Sequence, residues 1–94
     1  WEEALIEFSA LPTAGDFELF YDDNSVGTVA HDDTAGDIQD LLRAVAGLEQ
    51  VTVTGNFTAG FTVMFIGVAA PAALSEDNNT LEDTNSDPVT ITIS

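Results

Sequence analysis

Between positions 76 and 87 the chain carries Glu76, Asp77, Asn78, Asn79, Glu82, Asp83, Asn85 and Asp87, an oxygen-rich stretch of the kind that can hold a hard cation. Calcium takes about six to eight oxygen ligands and tolerates flexible carboxylate loops. The spacing Asp77-x-Asn79-x-Leu81 departs from an EF-hand at its third ligand, and glycine is missing from the sixth loop position. The stretch therefore reads as an exposed acidic loop, with calcium as the alternative, and no metal ligand is assigned. Asp22-Asp23 and Asp32-Asp33 flank a candidate hairpin and read as solvated turns. Paired carboxylates can cleave glycosides, but nothing in the pattern builds an aromatic-lined cleft around them. His31 is the single histidine, and neither a cysteine nor a Gly-x-Ser-x-Gly motif accompanies it, so a charge relay lacks its parts. Asn56-Phe57-Thr58 and Asn78-Asn79-Thr80 match glycosylation sequons, read as coincidence because no secretory signal is in view. No catalytic or cofactor-binding residue is assigned, and the chain is expected not to be an enzyme.

Charge narrows the partners. The 94 residues hold 17 Asp and Glu against one cation, Arg43, for a formal net charge of −16. Nucleic acid is bound by Lys and Arg that displace counterions, and here almost none are present. Acidic lipid surfaces are excluded by the same argument. No apolar run reaches the roughly 18 residues of a membrane span. No basic segment precedes an apolar core as in a signal peptide. The chain starts at Trp1 rather than Met, which is expected of a processed product or an excised domain. Cysteine is absent, which excludes disulfides and zinc–thiolate sites. The 45% apolar content, with six Phe, argues for a packed core despite the charge.

A single domain spanning 1–94 is expected. Ala4, Ile6 and Phe8 alternate, as do Phe17, Leu19 and Tyr21, and Val26–Ala30 closes a hairpin through Asp22-Asp23-Asn24-Ser25. Ile38, Leu41, Leu42 and Val45 form one apolar stripe, which predicts a helix over 34–46. Thr34 with Asp37 makes a capping box, and Gly47 makes a left-handed stop. Strands are predicted at 51–54, at 61–66 and at 89–93. The second of these is apolar on both faces and is expected in a central, doubly covered position. Residues 67–88 show no regular pattern and are expected to form a long connection pinned by Leu74 and Leu81. The fold class is α+β: a mostly antiparallel sheet or compact sandwich of about six strands with one helix packed on a face.

Several segments carry a family resemblance. They are Gly15-Asp16-Phe17-Glu18-Leu19-Phe20-Tyr21, Asp32-Asp33-Thr34-Ala35-Gly36-Asp37-Ile38-Gln39-Asp40-Leu41-Leu42, Val51-Thr52-Val53-Thr54-Gly55, Gly60-Phe61-Thr62-Val63-Met64-Phe65-Ile66-Gly67, and Val89 to Ser94. In this order they resemble a repeat-like module of tailed-phage virion proteins, with related stretches in some large extracellular proteins. The resemblance covers nearly the whole chain, and its motifs are structural. It supplies no catalytic residues, and this copy is more acidic than the module's usual form. It implies a non-enzymatic virion protein: a capsid decoration or a head or tail accessory module that binds a larger shell or tail protein and its own copies. The alternative is an adhesin-like interaction repeat of an extracellular or cell-surface protein. A version of either adapted to high salt is a third reading. Phe57, Val68 and Pro71 lie on loops that the strand pattern does not need for a core. They are expected to form the partner-binding surface, together with Ala69, Ala70 and Ala72.

Overall fold

β1 (Glu3–Phe8) turns Ala4, Ile6 and Phe8 to one side, and the core forms on that side. The structure, a computed structural model, describes residues 2–94. The chain continues through β2 (Asp16–Tyr21), β3 (Asn24–Ala30), α1 (Ala35–Arg43), β4 (Thr52–Asn56), β5 (Gly60–Met64), β6 (Leu74–Asp77) and β7 (Ile91–Ile93). One sheet has the order β4-β5-β1-β7 and the other β3-β2-β6, with every pair antiparallel. The fold is α+β, as the residue pattern predicts. Ile6, Phe61 and Val63 of the first sheet face Phe17, Leu19 and Val29 of the second, each with 0% exposure. Burying such a side chain is worth about 1.5–3 kcal/mol. Among the described residues no polar or charged side chain is buried with them.

The four-residue β6 lies inside the segment expected to be irregular. It pairs along β2, with Tyr21 opposite Leu74 and Glu18 opposite Asp77. Only Leu74 of its residues is buried, so no alternation marks it in the sequence. The expected anchors Leu74 and Leu81 both reach the core, at 8% and 2% exposure. β5 is central, between β4 and β1, but its second face is not covered. Thr62 and Met64 are half-buried on an outer surface. The strand ends at Met64, so Phe65 and Ile66, which made the run look apolar on both sides, fall beyond it.

α1 is capped as expected. Thr34 Oγ1 accepts from Asp37 N, and Asp37 Oδ2 accepts from Thr34 N at 2.9 Å. The helix ends at Arg43 rather than at 46. From there, i to i+3 bonds from Val45 N to Leu42 O and from Leu48 N to Val45 O step the chain down to the core. Ile38 and Leu42 are fully buried, while Leu41 rests on β3. That contact needs Gly27, where a Cβ would sit 2.8 Å from Leu41 Cδ2. Gly27 lies beside a bulge in the β2–β3 pairing, with φ at +139°.

β1 and β7 bring distant parts of the chain together. Leu5 and Ser94 exchange backbone hydrogen bonds of 3.0 and 2.9 Å, so Glu3 and Ser94 lie at the same end of the molecule.

The β2–β3 hairpin turns on Asp22 and Asp23, both left-handed, at φ of 53° and 61°. This is the mirror-image turn whose twist suits a hairpin and which favours Asn-Gly. Two adjacent carboxylates add repulsion to the backbone strain. Asp23→Gly is therefore expected to raise the unfolding free energy by about 1 kcal/mol. Urea denaturation measures it, and a loss of stability would show that the Asp23 side chain makes a compensating contact.

Candidate interaction surface

The residues that could do chemistry are dispersed, and several of them are engaged with backbone. His31 follows β3 in the chain, with its Nδ1 3.3 Å from Gly15 O. Asp33 Oδ2 accepts from Ala30 N at 2.9 Å and closes the end of the same strand. Asp22-Asp23 and Asp32-Asp33 thus stand at opposite ends of the hairpin.

The acidic loop folds on its own side chains. Asp83 Oδ1 accepts from Asn85 N at 2.8 Å and Asp87 N at 3.1 Å. Asn79 Oδ1 accepts from Leu81 N at 2.9 Å, while its Nδ2 donates to Val89 O at 2.7 Å. Asn78 Nδ2 donates to Glu18 Oε1 at 2.8 Å. Among the described residues no three His, Asp or Glu side chains converge as a metal site. Of the two sequons, Asn56 keeps its Oδ1 on Ala59 N at 2.7 Å, and Asn78 is tied to Glu18.

The expected contact residues separate. Phe57 is not on a surface: it is 7% exposed, with its ring centroid 4.7 Å from Phe8 and 4.9 Å from Phe61. The turn after β4 folds its aromatic ring back onto Phe8 and Phe61, where it leaves water. Val68 is half-buried and packs against the core, and Pro71 is half-buried, whereas Ala69 and Ala70 are exposed. Tyr21 Oη accepts from Ala72 N at 2.9 Å and holds this loop to β2. Sequence reasoning missed Leu11, a large apolar side chain left 56% exposed beside a buried Pro12. Its isolation in a Leu-Pro-Thr turn gave no signal.

Among the hollows that the described residues leave on the surface, two are of similar size. One, of about 300 Å³, lies among Glu2, Ala4, Phe65, Leu74 and Ile93. The other, of about 310 Å³, lies over Leu5, Thr62 and Ser94 on the outer face of the four-stranded sheet.

The polar side of α1 is not simply turned to solvent. Arg43 Nε donates to Val51 O at 2.9 Å, and Gln39 Oε1 accepts from Val53 N at 3.1 Å. Four residues apart on the helix, these two side chains occupy the outer edge of β4. An open strand edge is a template for pairing with another chain, and covering it prevents that. No family model, curated protein or solved structure matches the chain.

Gln39→Ala and Arg43→Ala are each expected to lower stability by about 1 kcal/mol. Together they should promote association through the bared edge, measured by urea denaturation and light scattering. A double variant as stable and as monodisperse as the parent would mean that water replaces both bonds without loss.

The 17 carboxylates share a surface with one cation, so screening should stabilise the fold. The thermal midpoint is expected to rise from low to molar sodium chloride as the screening length falls from about 10 Å at 0.1 M to 3 Å at 1 M. A flat or falling midpoint would mean that a bound cation already compensates the charge.

Proposed function

We propose that this chain is a non-enzymatic virion structural module, a capsid decoration or head or tail accessory protein of a tailed phage that binds a larger shell protein. The observation that carries the reading is where the resembling residues lie. Gly15–Tyr21 leads into and forms β2, and Asp32–Leu42 supplies the cap and most of α1. Val51–Gly55 supplies most of β4, Gly60–Gly67 contains β5, and Val89–Ser94 contains β7. The resembling segments thus fall on regular elements, while β1, β3 and β6 lie outside them. The acidic surface supports a partner with a basic patch, which speeds encounter more than it tightens binding. Among the described residues no helix is long and apolar enough to cross a membrane.

The test is to purify particles from the source of the sequence and quantify this chain by mass spectrometry. A fixed stoichiometry relative to the major shell protein, with matching density in a particle reconstruction, is the expected result. Absence from particles, with recovery from the cell-surface fraction, would replace this reading with the extracellular interaction repeat.

A further inference from the structure

The sandwich has two sides where sheet edges meet. α1 covers the side formed by β3 and β4. The other side, between β6 and β7, is a wedge. It is stitched at one end, where Asn79 Nδ2 donates to Val89 O at 2.7 Å and Val89 N donates to Leu81 O at 3.0 Å. At the other end it opens into the cavity of about 300 Å³, walled by Ala4, Phe65, Leu74 and Ile93 and rimmed by Glu2 and Glu3.

Both walls of the mouth are strand edges. The bonds between Leu5 and Ser94 and from Ser9 N to Thr90 O turn the backbone of residues 90, 92 and 94 toward β1. Alternation then turns Ile91 and Ile93 toward the seam. On the facing strand, Asp22 N donates to Ala73 O, so Ala73, Ser75 and Asp77 face β2, and Leu74 and Glu76 face the seam. Among the described residues no backbone bond crosses between β6 and β7 at Leu74 and Ile93. Apolar depth, open backbone groups and an acidic rim therefore coincide at one place.

We propose that this mouth binds an extended segment of a partner protein by strand addition, its backbone pairing with Ile93, an apolar side chain entering the cavity, and a flanking lysine or arginine meeting Glu2 and Glu3. The inference rests on the reading of the chain as an interaction module and gives that module a binding mode. Main-chain bonds supply affinity in such complexes, and alternate side chains supply specificity. Charge selects the occupant. A second copy offers a single cation, Arg43, which lies in α1 with its Nε held on Val51 O, so no extended segment of this chain supplies a basic residue.

The experiment uses the whole chain and two synthetic hexapeptides. The first alternates valine and lysine. The second carries the same charge with proline in place of its central valine, which removes a main-chain donor. The first is expected to slow amide exchange at Ile93 and Leu74 by about tenfold or more at saturation, and the second to leave it unchanged. Equal effects of the two peptides would reduce the site to charge attraction, and effects mapped elsewhere, or none up to millimolar peptide, would also overturn it. Those failures leave the particle test untouched.

Ile93→Pro removes only a donor that points into the seam, a position where sheets accept proline. It should stay folded and lose the peptide effect. Where it does not fold, Glu3→Lys supplies the test, with an expected loss of affinity of about fivefold or more at low salt. Undiminished binding by Glu3→Lys, or by a folded Ile93→Pro, would overturn the proposal.

Discussion

Repulsion among 17 carboxylates with one cation is the constraint that the structure answers throughout. Ion pairs cannot answer it. The chain instead sets a minority of its carboxylates on its own amides: Asp33 on Ala30 N, Asp37 on Thr34 N, Asp77 on Asn78 N, and Asp83 on two N–H groups at once. An ionised acceptor roughly doubles the strength of such a bond. Each one lies at a strand end, a helix start or a loop bend, where backbone donors are otherwise left over. Asp33, Asp37 and Asp77 thus mark element boundaries. The interior, with no charged or polar side chain buried among the described residues, is left to apolar contact alone.

The same economy governs the edges. A small sandwich has four edge strands, and an acidic chain with no lysine cannot blunt them in the usual way. Arg43 and Gln39 cover β4, and Asp33 occupies the Ala30 amide of β3. β6 and β7 are left facing each other, and among the described residues the hydrogen bonds across that side lie near Val89. The single cation is therefore used on a carbonyl at a strand edge and not on an acid.

Local signals were legible where one residue type answers one local need. The Thr34–Asp37 cap, the Ile38–Leu42 stripe and the alternation through Phe17 and Leu19 read directly from the sequence. β6 did not, because Leu-Ser-Glu-Asp has one core residue and takes its strand form from pairing with β2. Phe57 misled for the opposite reason. A loop position suggests exposure, but the ring packs on the nearby Phe61 and also returns to Phe8, far back in the chain, through a contact that no local pattern encodes. The candidate surface was legible only as charge. The unpaired edges that shape it exist because of topology.

The pairing of Leu5 with Ser94 sets how the domain would respond to force. Glu3 and Ser94 lie side by side at one end of two antiparallel strands. Tension applied through those two points does not shear the β1–β7 ladder, in which all its bonds would resist together. It opens the ladder like a zip, loading first Leu5 with Ser94, then Glu7 with Thr92, then Ser9 with Thr90. Each residue pair meets the load in turn, so β7 peels away at low force while β1 stays held by β5. Placed in line in a pulled chain, the domain would yield early and lengthen, and it keeps its shape best where load bypasses its two ends.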